Sequence, residues 1–152
     1  MPIEEKIKSL GLTLPPVPKA IASYIPANGS GKLVFTSGQL PMKDGKLLYT
    51  GQTGKDVTIE QAREAMKQSC LNALSAIKGY IGDLDQIQKV VKIGAFVSSA
   101  ESFFEQHIVA NAASDLLLEI FGEPGKHARF AIGVNTLPLN ACVELEVTVE
   151  VK

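Results

Sequence analysis

His127-Ala128-Arg129-Phe130-Ala131-Ile132-Gly133-Val134-Asn135-Thr136-Leu137-Pro138-Leu139-Asn140-Ala141-Cys142-Val143-Glu144-Leu145-Glu146-Val147-Thr148-Val149-Glu150-Val151 is the stretch on which the fold turns. Both of its halves alternate with period two, the pattern of half-buried strands. In the first half Ala128, Phe130, Ile132 and Val134 share one face, and His127, Arg129, Ala131, Gly133 and Asn135 the other. In the second, Val143, Leu145, Val147, Val149 and Val151 alternate with Glu144, Glu146, Thr148 and Glu150. Leu137 to Asn140 reads as the loop of a β-hairpin, so the two strands are expected to pair directly and to share an oily face and a polar face. On that register Glu144 falls near Gly133 and Glu146 near Ala131. Glu144 then stands about 13 Å along the ladder from Arg129. A face carrying one guanidinium, small residues and carboxylates suits a pocket for a small anion, with a carboxylate nearby to handle a proton or a water. The plainer reading of Arg129 is a strand arginine paired with Glu146 or Glu150.

Upstream of this stretch the punctuation is clear. Residues 1–14 read as a short amphipathic helix ended by Gly11, followed by a connection rich in proline (Pro15, Pro16, Pro18). Ala20 to Ala27 reads as a strand, Asn28-Gly29-Ser30-Gly31 as a turn, and Lys32 to Gln39 as the returning strand. Asp44-Gly45 marks a second turn before a short strand at Lys46 to Tyr49. From Thr58 to Tyr80 apolar residues recur at helical spacing, Thr58 with Gln61 forms a capping box, and Gly79 and Gly82 are stop signals. Ile87 to Val97 is a buried-type strand. Ser98 or Ser99 is placed to cap a second long helix, from about Ala100 to Phe121, ended by Gly122 and Pro124. The order is β-β-β, α, β, α, β-β. One sheet with both long helices on its oily face satisfies it, an α+β fold in one domain over residues 1–152, with 1–17 as an N-terminal extension packed on it. The remaining polar, small-residue face calls for a neighbouring subunit as cover.

Composition excludes several function classes. A net charge of −1 offers no basic footprint for nucleic acid. No apolar run approaches the roughly 20 residues that span a bilayer, and the charged Met1 to Lys8 lacks a signal-peptide core. A cytoplasmic protein without membrane partners is expected. Cys70 and Cys142 lie in different element types without metal-ligand spacing, and read as reduced structural thiols. There is no HExxH, no CxxC, no glycine-rich phosphate loop and no Gly-x-Ser-x-Gly.

Arg129 followed eight residues on by Leu137-Pro138, and then by Val143-Glu144-Leu145-Glu146, resembles the signature of the Rid/YjgF family of enamine/imine deaminases, part of which has been filed as L-PSP endoribonucleases. Val34-Phe35-Thr36-Ser37-Gly38-Gln39-Leu40-Pro41 is similar to that family's Ser-Gly-Gln strand, and Asp83 to Ile93 to its entry into a central strand. The resemblance runs from about Pro18 to the end of the chain. It implies a chorismate-mutase-like fold, a homotrimer with active sites in clefts between subunits, and hydrolysis of 2-imino or enamine acids to 2-keto acids and ammonia with no metal or organic cofactor. It implies that Arg129 holds the substrate carboxylate, that Glu144 positions the water, and that Tyr24 offers a phenol across the subunit boundary.

Other residues keep two readings. Ser37 either contacts substrate or caps the end of a strand. Asn111, mid-helix, either binds substrate or ties a loop. Ala131 stands where many relatives have cysteine, so only its backbone N–H is left to serve. The stretch around Tyr24 lacks the family's preceding Gly and following Gln. His127 shares a face with Arg129 and reads as a structural or rim histidine, and His107 as a surface or boundary residue. The alternatives to a deaminase are an endoribonuclease, whose RNA binding would weaken steeply with salt, and a non-catalytic trimer that senses a small carboxylate.

Overall fold

The computed structural model describes residues 1–20 and 22–152. Its helices are α1 (Ile3–Ser9), α2 (Ile59–Ile81) and α3 (Gln106–Phe121); its strands are β1 (Ala27–Ser30), β2 (Leu33–Thr36), β3 (Met42–Lys43), β4 (Lys46–Leu47), β5 (Ile87–Ser98), β6 (Ala128–Val134) and β7 (Val143–Val151). On β5 Val90, Ile93, Ala95 and Val97 are buried, and on β7 Val143, Leu145, Val147 and Val149. These rows meet the buried sides of α2 and α3, so both long helices lie on one face of one sheet. Each such aliphatic side chain contributes roughly 1.5–3 kcal/mol by leaving water. The fold is α+β, a five-stranded mixed sheet in the order β1-β2-β7-β5-β6, with β3 and β4 as a separate small hairpin whose turn residues Asp44 and Gly45 both have positive φ.

The final two strands do not form the expected hairpin. β6 pairs in parallel with β5, and β7 lies on the other side of β5, antiparallel to it and to β2. The β5-α3-β6 segment is therefore a crossover unit, the only way to join parallel neighbours. The connection from β6 to β7 straddles the end of β5. Ser99 N–H donates to Val134 O and Ser98 N–H to Cys142 O, one to each side, both at 2.9 Å. Glu144 consequently sits beside Phe96, which sits beside Ile132; Glu146 sits beside Gly94, which sits beside Phe130. The expected neighbours, Gly133 and Ala131, are on neither row.

The faces change with the pairing. Residues aligned across neighbouring strands point the same way, so Phe130 and Ile132 share the face of Glu144 and Glu146, away from the helices. Arg129, Ala131 and Gly133 align with Ile93, Ala95 and Val97 on the helix face. At Gly133 this face meets the first side chain of α3. A Cβ on Gly133 would lie 2.7 Å from Nε2 of Gln106. On the outer face, Gly94 leaves room for the ring of Phe130, which meets Phe96 edge-on at 5.3 Å between centroids.

Smaller corrections have local causes. β1 starts at Ala27, so of the strand expected over 20–27 only Ala27 belongs to β1 among the described residues; Ile21 lies outside them. The first turn is Gly31-Lys32, with Asn28, Gly29 and Ser30 inside β1, and β2 ends at Thr36. α3 starts at Gln106 and not near Ala100. Ser98 is still in β5, and the Ser99 hydroxyl turns back to Val97 O. In α2 the capping box is present in both directions, and Gly82, at φ 88°, ends the helix. Gly79 does not stop it. A Cβ there would lie 2.4 Å from Cγ1 of Val17, so this glycine is where the N-terminal segment lands on α2. Ile7 of α1 is buried in the common core.

Candidate active site

Arg129 lies on β6, the edge strand beneath α3. Its Nη1 donates to Asn111 Oδ1 at 2.8 Å and to Ser114 Oγ at 3.1 Å. Asn111 and Ser114 are three apart on α3 and so share a face. The chain of bonds continues outward. His127 Nδ1 lies 2.6 Å from Gly125 O, which can only accept, so Nδ1 carries the proton. With the ring neutral, Nε2 accepts from the Ser114 hydroxyl at 2.8 Å. Ser114 thus accepts from Arg129 and donates to His127. Among the described residues the guanidinium makes no ion pair, and neither Glu146 nor Glu150 reaches it. Asn111 is explained by this contact, and the histidine's two nitrogens are both engaged. Ser114 escaped notice in the sequence; its spacing from Asn111 is the signal that would have found it.

Glu144 is half-buried on the opposite face of the sheet. Burial, and after it the charge of Glu146, raises its carboxyl above the ordinary glutamate range. It lies against the backbone of Gly38, where a Cβ would come within 1.9 Å of Oε2. Only glycine lets a carboxylate in at that distance. The segment after β2 is held along β7 by Gln39, whose N–H donates to Leu145 O and whose carbonyl accepts from Leu145 N–H. Ser37 then ties back the strip containing Tyr24, its N–H donating to Pro26 O and its hydroxyl to Ile25 O at 2.7 Å. Tyr24 is exposed and, with Gly38, lines a cavity of about 610 Å³ bounded by α2 and the proline-rich segment. Ala131 is half-buried, two residues beyond Arg129 on the same face.

The candidate residues of one chain therefore fall into two groups. Arg129, Asn111 and Ala131 belong to the β6 edge and the helix face. Tyr24, Ser37 and Glu144 belong to the region around Gly38. Arg129 is level with Val147, two strands away and three residues from Glu144. That is roughly 14 Å between α-carbons, on opposite faces of the sheet, at ~4.8 Å per strand and ~3.3 Å per residue. No group of three His, Cys, Asp or Glu side chains among the described residues is placed to hold a metal. Both cysteines are buried and reduced, their thiols pushed up by burial to about 12 for Cys70 and about 11 for Cys142. No helix of the described residues is long and apolar enough to cross a membrane.

This division into an arginine edge and a glutamate-glycine junction is carried by the same motifs that resemble Rid/YjgF proteins, and comparison with known proteins decides the family. The model of the family described as "YjgF/chorismate_mutase-like, putative endoribonuclease" matches residues 4–151. The chain belongs to the YjgF/Rid family. Protein TCP17 of Trypanosoma cruzi is 40% identical over 149 residues, 97% of this chain and 93% of that protein. The crystal structure of Atu1372 from Agrobacterium tumefaciens, a protein described as of unknown function, is 45% identical and superimposes with a TM-score of 0.92, covering 99% of this chain and 92% of that one. A Shewanella oneidensis protein described as a "putative endoribonuclease" is 35% identical with a TM-score of 0.95, covering 99% and 100%. Within the YjgF/Rid fold of this chain, the proline-rich segment that follows α1, from Gly11 to Lys19, forms a wall beside the Gly38 region.

Proposed function

We propose that the protein hydrolyses reactive 2-imino and enamine acids to 2-keto acids and ammonia, at sites completed between copies of the chain. The observation that carries this reading is the state of Arg129. It is a half-buried guanidinium held by neutral side chains and engaged with no carboxylate among the described residues. A cation so prepared is a receptor for an anion, and its planar fork fits a carboxylate through two parallel hydrogen bonds. Because Glu144 is on the far face, the second functional group comes from a neighbouring copy. The outer sheet face, with Leu33, Phe35 and Ile132 exposed around Phe96 and Phe130, gives the copies a reason to associate. A homotrimer is the assembly we propose.

The chemistry asks for little. The enamine tautomerises to the imine, whose carboxylate Arg129 holds and whose C=N carbon it renders more electrophilic. Glu144 orients a water and takes its proton as oxygen bonds to that carbon. Glu144 returns that proton to nitrogen, giving a carbinolamine. It then takes the hydroxyl proton and delivers it to nitrogen as the C=O forms and the C–N bond breaks, so that ammonia leaves a keto acid. The raised carboxyl of Glu144 suits a base that must also return the proton. Asn111, Ser114 and His127 keep the guanidinium in place, and Tyr24 stands at the entrance. His127 has no free nitrogen for ribonuclease-like acid/base work.

The test generates imines in place with an L-amino-acid oxidase and competes hydrolysis against a trapping nucleophile such as semicarbazide. Catalytic loss of trapped imine, abolished by Arg129→Ala, supports the reading. Binding of keto acid without acceleration would make the protein a sensor. Cleavage of RNA with steep salt dependence would make it a nuclease.

A further inference from the structure

Four polar or small residues of α2, Gln68, Asn72, Ser75 and Gly79, fall on one stripe at helical spacing, a poor choice for a core-facing helix unless something specific covers them. The cover is the proline-rich segment, and three of the four are committed to holding it or its neighbours. Gly79 receives Val17. The Ser75 hydroxyl donates to Pro15 O at 2.7 Å. Asn72 Nδ2 donates to Leu40 O and Met42 O, fixing the opposite wall. What these contacts enclose is the cavity of about 610 Å³ whose other lining includes Tyr24 and Gly38. The walls are thus pinned by dedicated side chains, and the space they leave is not filled.

Gln68 is the exception. It is 8% exposed, yet its only hydrogen bond is from Nε2 to Asn72 Oδ1, so Oε1 and one N–H have no partner among the described residues. That acceptor and that N–H are reached from the cavity, where a ligand's polar group can meet them in place of water. The rest of the lining includes Leu12, Pro16, Met42 and Leu71. Gly38 lines this space, and the Glu144 carboxylate, which is not part of the lining, lies against the same residue.

We infer that the cavity is the side-chain pocket of the site, and that it selects 2-imino acids with a large, mostly apolar side chain ending in a hydrogen-bonding group, such as a hydroxyphenyl. The inference rests on the deaminase reading and deepens it. A methyl or ethyl side chain would leave the space largely empty, since its volume falls in the range of sites for whole small molecules. An aromatic body would lie between the prolines and Leu71, with its polar tip at Gln68.

The experiment measures kcat/KM for imines made in place from alanine, phenylalanine and tyrosine, and binding of pyruvate, phenylpyruvate and 4-hydroxyphenylpyruvate by calorimetry, on the full-length protein. The tyrosine-derived imine is expected to be preferred over the alanine-derived one by roughly 10-fold or more. Met42→Trp, at a partly exposed position on the cavity wall, is expected to collapse that ratio toward one. Gln68→Met is expected to remove the preference for tyrosine over phenylalanine while keeping that for phenylalanine over alanine. If all three imines are turned over equally, or the ratio survives Met42→Trp, the pocket inference is overturned while the deaminase reading stands. If no imine is turned over, the deaminase reading fails, and the calorimetry decides the pocket: tighter phenylpyruvate than pyruvate binding, lost in Met42→Trp, supports it, and equal affinities reject it.

Discussion

The β6 edge and the Gly38–Glu144 junction are opposites in their electrostatics. At the edge a cation is surrounded by neutral acceptors, an amide and a hydroxyl, with a histidine fixing the hydroxyl. At the junction an anion is desolvated against backbone and set near a second carboxylate, so its proton is held more tightly than usual. Either arrangement alone is unfavourable, a guanidinium without an anion and a carboxylate without a cation. Structural ion pairs are normally built the other way, partner against partner. Two groups of complementary charge without ionic partners, on opposite faces of one sheet, are the observation behind the proposal that a ligand and a second copy complete them.

The comparison can be broken most severely at the edge. Arg129→Ala is expected to bring imine hydrolysis to background and abolish keto-acid binding, and Arg129→Lys to recover little, because the ammonium lacks the fork; calorimetry with the keto acid and single-turnover kinetics read both. At the junction, Glu144→Gln is expected to lower kcat by about 10²–10⁴-fold while keto-acid binding survives. Glu150→Gln, whose residue sits beside Leu33 and Lys89 toward the far end of β7, is its near-neutral control. Equal small effects of both changes would remove Glu144 from the mechanism. A finer probe is the pH profile. In the proposed reaction Glu144 works as the carboxylate, so activity should fall as pH drops through its raised value, above the ordinary glutamate range. Glu146→Gln removes one of the two causes of the rise, so the acid limb should move to lower pH, with desolvation keeping part of the shift. An unchanged limb would mean the titrating group is another.

The sequence exposes some of this and conceals the rest for identifiable reasons. The capping box of α2, the stop at Gly82, the Asp44-Gly45 turn and the buried β5 are local signals, and local chemistry settles them. The partner of β6 is not local. Its alternation fits either face equally, and giving the larger apolar set to the core was the natural choice. The core side instead takes Ala131 and Gly133, and the side chain of Gln106, first residue of α3, lies over Gly133. The strand-helix-strand order of β5-α3-β6 held the better clue, since such a unit joins parallel neighbours. As for the site, Arg129 and Glu144 were legible as chemistry, but their separation onto two faces followed from the pairing. Ser114 and the Gln68 stripe were hidden because single polar residues on a helix look like surface until their partners are placed.

If Arg129 of one copy works with Glu144 of another, as proposed, mixing the two disabled proteins restores activity. Arg129→Ala and Glu144→Gln chains, each inactive alone, are co-expressed or dissociated and reassembled together, and imine hydrolysis is measured. Sites drawing the intact arginine from one variant and the intact glutamate from the other should form, and random pairing predicts recovery of roughly a quarter of wild-type activity. Mixed assemblies, verified by mass, that remain as inactive as their parents would place both residues in the same copy's site and contradict the account.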